Sequence, residues 1–186
     1  MKTFPINLQL NKFFIIIFGG GKVAEEKIKK LLPFNPKILI ISPTITDYLS
    51  DLVEKQKICY IDDEYNSAYL DNCKIVIAAT NNKKVNEAIY RYAKEKNILV
   101  NVVDDPDLCD FIMPAVISSD NFSIGISTNG KAAGYSRQIK DELQEYMDKE
   151  SKVVEIIQTI RSFLKKKTSN ADERKEKLMD ILKSIQ

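Results

Sequence analysis

With 186 residues, 44% of them apolar and 29% charged, the chain is long enough for one domain of ordinary size plus a smaller appendage, and it can bury a core without metal or disulfide staples. A formal net charge of +2 and the lack of any arginine-rich stretch argue against a nucleic-acid partner. Cys59, Cys73 and Cys109 are odd in number and lack Cys-x-x-Cys spacing, and the apolar run at 13–18 is too short for a signal segment or a membrane span; a cytoplasmic protein with reduced thiols and no membrane partner is expected.

The run FFIIIF at 13–18 is β-branched and aromatic, with polar Asn11-Lys12 before it and glycines after, as a strand buried on both faces should be. The glycines lead directly into VAEEKIKKLL, where Val23, Ile28, Leu31 and Leu32 keep helical spacing until Pro33 stops the pattern. KILII at 37–41 reads as a second strand, 46–54 as a helix, 58–61 as a short strand and KIVIAA at 74–79 as another buried strand. A helix over 81–96 gathers Val85, Ala88, Ile89, Tyr92 and Ala93 on one face, and ILVNVV at 98–103 supplies a fifth strand. Strands alternating with helices imply right-handed crossovers and a parallel sheet, the α/β class in its Rossmann form.

After Asp104 the character changes. MPAVIS and FSIGIS are two short strands joined by Ser119-Asp120-Asn121, a hairpin signal. Helices are expected over 131–147, 152–166 and 172–185, with Thr168-Ser169-Asn170 as a polar break and N-cap candidate and Lys165-Lys166-Lys167 as a solvated C-terminal turn. Three regions follow: a dinucleotide-binding domain over 1–112, a hairpin and helix over 113–147, and a helical remainder over 148–186.

Gly19-x-Gly21-x-x-Ala24 matches the dinucleotide fingerprint in its Gly/Ala form, between a buried strand and a helix. Gly19 allows the tight turn, Gly21 lets the backbone approach a pyrophosphate, and Ala24 permits close helix-to-strand packing. The helix start at Lys22-Val23 offers unpaired N–H groups to the anion. The acidic residue that commonly ends the second strand and bonds the ribose is replaced by Ser42-Pro43-Thr44, with no arginine there either, so these residues alone leave NAD and NADP both open. In a doubly wound sheet the loop Thr80-Asn81-Asn82 should flank the cofactor opposite the glycines. Asp104 ends the fifth strand on the same edge, and Asp105, Asp107 and Asp110 suit turn chemistry.

Four segments together resemble the precorrin-2 dehydrogenase/sirohydrochlorin ferrochelatase family, the N-terminal module of siroheme synthases: FGGGKVAEEKIKKLL, VIAATNNKKVNEAI, ILVNVVDDPDLCDFIMPAVI and FSIGISTNGKAAGYSRQIKDEL. The resemblance implies NAD-dependent oxidation of precorrin-2 to sirohydrochlorin by a homodimer, with Asp104 matching the family's catalytic aspartate. It also implies dinucleotide contacts at Lys22, Val23, Pro43 and Thr44, and a tetrapyrrole-facing loop at Ser127, Thr128 and Lys131, where Asn129 replaces the usual glycine. A plain helix-capping role for Ser127 or Thr128 stands beside substrate contact. Some members of the family also insert iron; with no histidine in the chain, no resident metal site is expected and any group handling metal would be Asp, Glu, Cys or a carbonyl. Cys109 is expected to pack. Two rival readings are a non-catalytic NAD-sensing module of the kind attached to potassium channels and a chelatase without dehydrogenase activity.

Overall fold

The computed structural model describes residues 3–185. The chain forms two compact units that divide between Met113 and Pro114. In the first, β1 (Phe14–Phe18), α1 (Lys22–Leu31), β2 (Lys37–Ile41), α2 (Asp47–Glu54), β3 (Cys59–Ile61), β4 (Ile75–Ala78), α3 (Lys83–Glu95) and β5 (Leu99–Val102) follow in order. The strands make one sheet in the order β3-β2-β1-β4-β5, every neighbouring pair parallel, with Ile17 opposite Ile40 on one side and Ile77 on the other.

Burial on both faces explains why β1 reads as an unbroken apolar run. Its side chains alternate: Ile15 and Ile17 pack with Ala24 and Ile28 of α1 and Leu49 of α2, whereas Ile16 and Phe18 pack with Ile89 and Ala93 of α3. Helices thus cover both faces, and the expected doubly wound Rossmann arrangement is the one observed. A short 3-10 turn, Ser67–Leu70, takes the place of a full crossover helix between β3 and β4.

The second unit holds the antiparallel hairpin of β6 (Ala115–Ser118) and β7 (Ser123–Ile126), packed on α4 (Ala133–Lys167), and then α5 (Ala171–Ile185). Two expected helices, 131–147 and 152–166, are one helix of 35 residues, so the boundary expected at 147/148 falls inside it. The polar stretch after Met147 contains neither glycine nor proline, and nothing in it interrupts the backbone hydrogen bonding. Ser151 bonds the hairpin instead, its hydroxyl donating to Ser119 Oγ at 3.1 Å while the Asn121 amide reaches Glu155 at 3.3 Å. Helix α4 also starts two residues later than expected, because Asn129 and Gly130 take φ of 53° and 79°. Asn170 caps α5 as expected, accepting from Asp172 N–H at 2.9 Å. Among the described residues no helix is long and apolar enough to cross a membrane.

Candidate functional site

Beyond β1 the chain must turn sharply at the carboxyl edge of the sheet, between the ends of β2 and β4. Gly19 donates to Ile41 O at 3.0 Å, and Ala79 donates to Phe18 O at 2.8 Å. Gly19 has φ +106°, and a Cβ there would collide with the Ala79 carbonyl. At Gly20 a Cβ would collide with the Thr44 carbonyl, while Thr46 donates to Gly20 O at 3.0 Å. Around Gly21 the space is open, with no atom within 4 Å of where a Cβ would stand. Two glycines therefore serve the fold and the third faces empty space at the N-cap of α1, where backbone N–H groups lack helical acceptors. Gly20 is a residue that the fingerprint reading passed over.

A cavity of about 290 Å³ opens over this loop. Of the residues expected to hold a cofactor, Gly19, Gly21, Pro43, Thr44, Thr80 and Asn81 all line it. Lys22 and Val23 do not. Lys22 turns its ammonium to Glu25 at 3.2 Å, and Val23 stands exposed on the first turn of α1, so what this turn offers the cavity is backbone. Asn86, nine-tenths buried, locks Thr80: its Oδ1 accepts from the Thr80 hydroxyl at 2.7 Å and from Thr80 N–H at 3.2 Å, and its amide donates to Thr80 O at 3.0 Å. Asp63, Glu64 and Tyr65, from the loop after β3, complete the lining. Tyr65 stands edge-on to Phe18 with ring centres 5.1 Å apart.

Beneath the loop lies a buried carboxylate, Glu25. It accepts from Lys29 at 2.7 Å, from the Thr46 hydroxyl at 2.7 Å and from Lys22 at 3.2 Å. Thr46 also caps α2 by accepting from Leu49 N–H, so one carboxylate ties the start of α1 to the loop after β2. The Lys29 bond first, and then the Thr46 bond, hold its carboxyl at about 2 against an ordinary value of 4.5. A depressed folded pKa stabilises the fold above the unfolded value and loses that contribution as pH falls through the folded one. The wild-type melting temperature should therefore fall between about pH 4.5 and pH 2, and Glu25→Gln should flatten the profile across that window. Parallel thermal melts check this; equal slopes would remove the assigned role.

At the end of β5, Asp104 is exposed and takes φ 60°, a left-handed conformation that Asp tolerates better than most residues. Asn101, buried on β5, donates to Phe111 O at 2.9 Å and accepts from Lys27 Nζ at 3.1 Å. Burial first, and then the charge of Lys30, push the Lys27 ammonium below its usual range, opposed by the charge of Asp104. A half-buried cation thus stands within electrostatic reach of Asp104, and nothing in the sequence pairs α1 with β5 across 74 positions. Asp110 is structural: it bonds Lys94 at 2.6 Å and accepts from Val100 N–H at 3.2 Å. Burial raises the Cys109 thiol, which sits 3.2 Å from Val102 O and from Asp105 O, in keeping with a packing role.

Ser127, Thr128 and Lys131 belong to the second unit. The Ser127 hydroxyl accepts from Asn129 N–H at 3.0 Å, the Thr128 hydroxyl accepts from Ala132 N–H at 2.9 Å, and Lys131 N–H donates to Thr128 O at 3.1 Å. Both hydroxyls thus fold the turn before α4, the capping role weighed beside substrate contact, and Thr128 Oγ1 also accepts from the Ser136 hydroxyl at 3.4 Å. Among the described residues no group of three or more Asp, Glu, Cys or His side chains could hold a metal ion.

A family model described as putative NAD(P)-binding matches residues 6–115. The chain is 34% identical over 144 residues to a siroheme synthase of Photobacterium profundum, covering 77% of this chain and 31% of that protein. To a siroheme synthase of Psychrobacter arcticus it is 38% identical over 144 residues, covering 77% and 26%. All 186 residues align at 31% identity with 40% of a siroheme synthase of Vesicomyosocius okutanii. The chain thus spans between about a quarter and two fifths of these relatives. Among solved structures, SirC, a precorrin-2 dehydrogenase, shares the fold with a TM-score of 0.77 at 22% identity, over 96% of this chain and 89% of that one.

Proposed function

Because this chain belongs to the putative NAD(P)-binding family, we propose that it binds NAD over the Gly19–Gly21 loop and oxidises precorrin-2 to sirohydrochlorin in siroheme synthesis. The open space at Gly21, over the first turn of α1, carries the reading: it is room for a pyrophosphate where N–H groups are available, and any side chain would fill it. Siroheme synthases among the sequence relatives and a precorrin-2 dehydrogenase sharing the fold support the substrate.

In this reading Lys22 and Val23 contribute backbone N–H groups, Pro43 and Thr44 flank the adenosine half, and Thr80 and Asn81 form the opposite wall. Bound NAD supplies a hydride acceptor. Removing two hydrogens from precorrin-2 sends one away as hydride and releases a proton, and Asp104 accepts that proton or orients the macrocycle that loses it. Ser127, Thr128 and Lys131 receive acidic groups of the tetrapyrrole.

The protein acts as a homodimer in the cytoplasm. Exposed Tyr135, Tyr146 and Phe163 along α4 supply apolar surface for a second copy.

The test is an anaerobic assay with precorrin-2 and NAD, followed by absorbance. Appearance of sirohydrochlorin only when both the protein and NAD are present is expected; tight NAD binding with no turnover would replace the enzyme with a sensing module.

A further inference from the structure

We infer that Glu64, backed by Asp63, is the ribose-recognising carboxylate of this site and makes it choose NAD over NADP. The inference rests on the dinucleotide reading and adds the residue that discriminates between the two cofactors.

Rossmann sites that prefer NAD commonly place an acid at the end of the second strand, where it accepts hydrogen bonds from the adenosine ribose. Here that position is Ser42-Pro43-Thr44, and the next carboxylate along the chain, Asp47, lies in the first turn of α2. The missing charge arrives from the neighbouring strand. The pairing of β3 with β2 continues past the strand ends, with Ser42 N–H donating to Ile61 O at 3.2 Å and the Tyr60 hydroxyl donating to Ser42 O at 2.9 Å. The loop after β3 is therefore tied to the loop after β2, and Asp63 and Glu64 line the same cavity as the glycines, Pro43 and Thr44.

The two acids have different parts. Asp63 is fixed: the Tyr69 hydroxyl donates to it at 2.6 Å and Glu64 N–H donates to it at 2.7 Å, and these bonds hold its carboxyl below the usual range. It is a permanent negative charge that pins the backbone of Glu64. The contact of Tyr65 with Phe18 holds the following residue. Glu64 is exposed and lines both this cavity and the adjoining one, which places it where a ligand would pass.

A carboxylate can accept from both hydroxyls of a ribose diol. The 2′-phosphate of NADP, carrying about two negative charges, would instead meet two carboxylates with no hydroxyl to offer, a repulsive discrimination. Among the described residues lining the two cavities the one cation is Lys83, at the start of α3. It lines only the adjoining cavity, together with Pro43 and Glu64, and not the one over the glycines.

Titrations of the whole protein with NAD and with NADP, for the wild type, Glu64→Gln, Asp63→Asn and Glu64→Arg, test this. The wild type should bind NAD at least about tenfold more tightly than NADP, Glu64→Gln and Asp63→Asn should narrow that ratio, and Glu64→Arg should reverse it. Because Glu64 is exposed, its variants should keep the wild-type melting temperature. Unchanged ratios in the variants, or a wild type preferring NADP, would overturn the inference while leaving a dinucleotide site intact. Failure of the wild type to bind either nucleotide would overturn the site itself.

Discussion

Asp104→Asn should lower precorrin-2 oxidation by at least about a hundredfold while NAD affinity stays within about twofold of wild type, the loss expected when a proton-accepting group is removed. Asparagine is the informative replacement because position 104 has φ 60°, which asparagine tolerates. Alanine there would add roughly 1–2 kcal/mol of backbone strain and confuse a chemical loss with a structural one. Asp104 does not line the glycine cavity, so nucleotide titration should not register the change. Wild-type turnover in Asp104→Asn would remove Asp104 from the reaction.

The glycines should separate by role. Gly20→Ala drives a methyl into the Thr44 carbonyl and the Ile45 side chain, so it should cost about 2–4 kcal/mol of stability and lower the melting temperature. A Cβ at Gly21 points into open space, so Gly21→Val should melt within a few degrees of wild type, yet its side chain occupies the space reserved for the pyrophosphate. NAD affinity in that variant should fall by about tenfold or more, the scale expected from obstructing a close backbone approach. A stable Gly21→Val protein that binds NAD normally would place the nucleotide elsewhere.

What could be read from the sequence depended on how local the signal was. The five strands and the glycine turn were legible because burial on both faces leaves continuous apolar runs, and because a strand, a glycine turn and a helix are adjacent along the chain. Thr80 and Asn81 were reachable by a topological rule, that loops at the carboxyl ends of neighbouring parallel strands converge, whereas Pro43 and Thr44 came from the family resemblance. Glu64 was not, since its place in the cavity follows from the pairing of a three-residue strand with β2 and from tyrosines that lock the loop. The bond from Lys27 to Asn101 and the bond from Thr46 to Glu25 likewise join positions far apart in sequence. The one clear misreading of an element, the break expected inside α4, falls on a polar stretch with neither glycine nor proline, so nothing there ends the helix.

On the proposed function, the electrons leaving precorrin-2 go to the nucleotide held over Gly21. Counting reduced nucleotide against sirohydrochlorin in an anaerobic reaction tests it most directly. One NADH formed for each precorrin-2 consumed is the predicted result; sirohydrochlorin accumulating with the NAD left unreduced would contradict it.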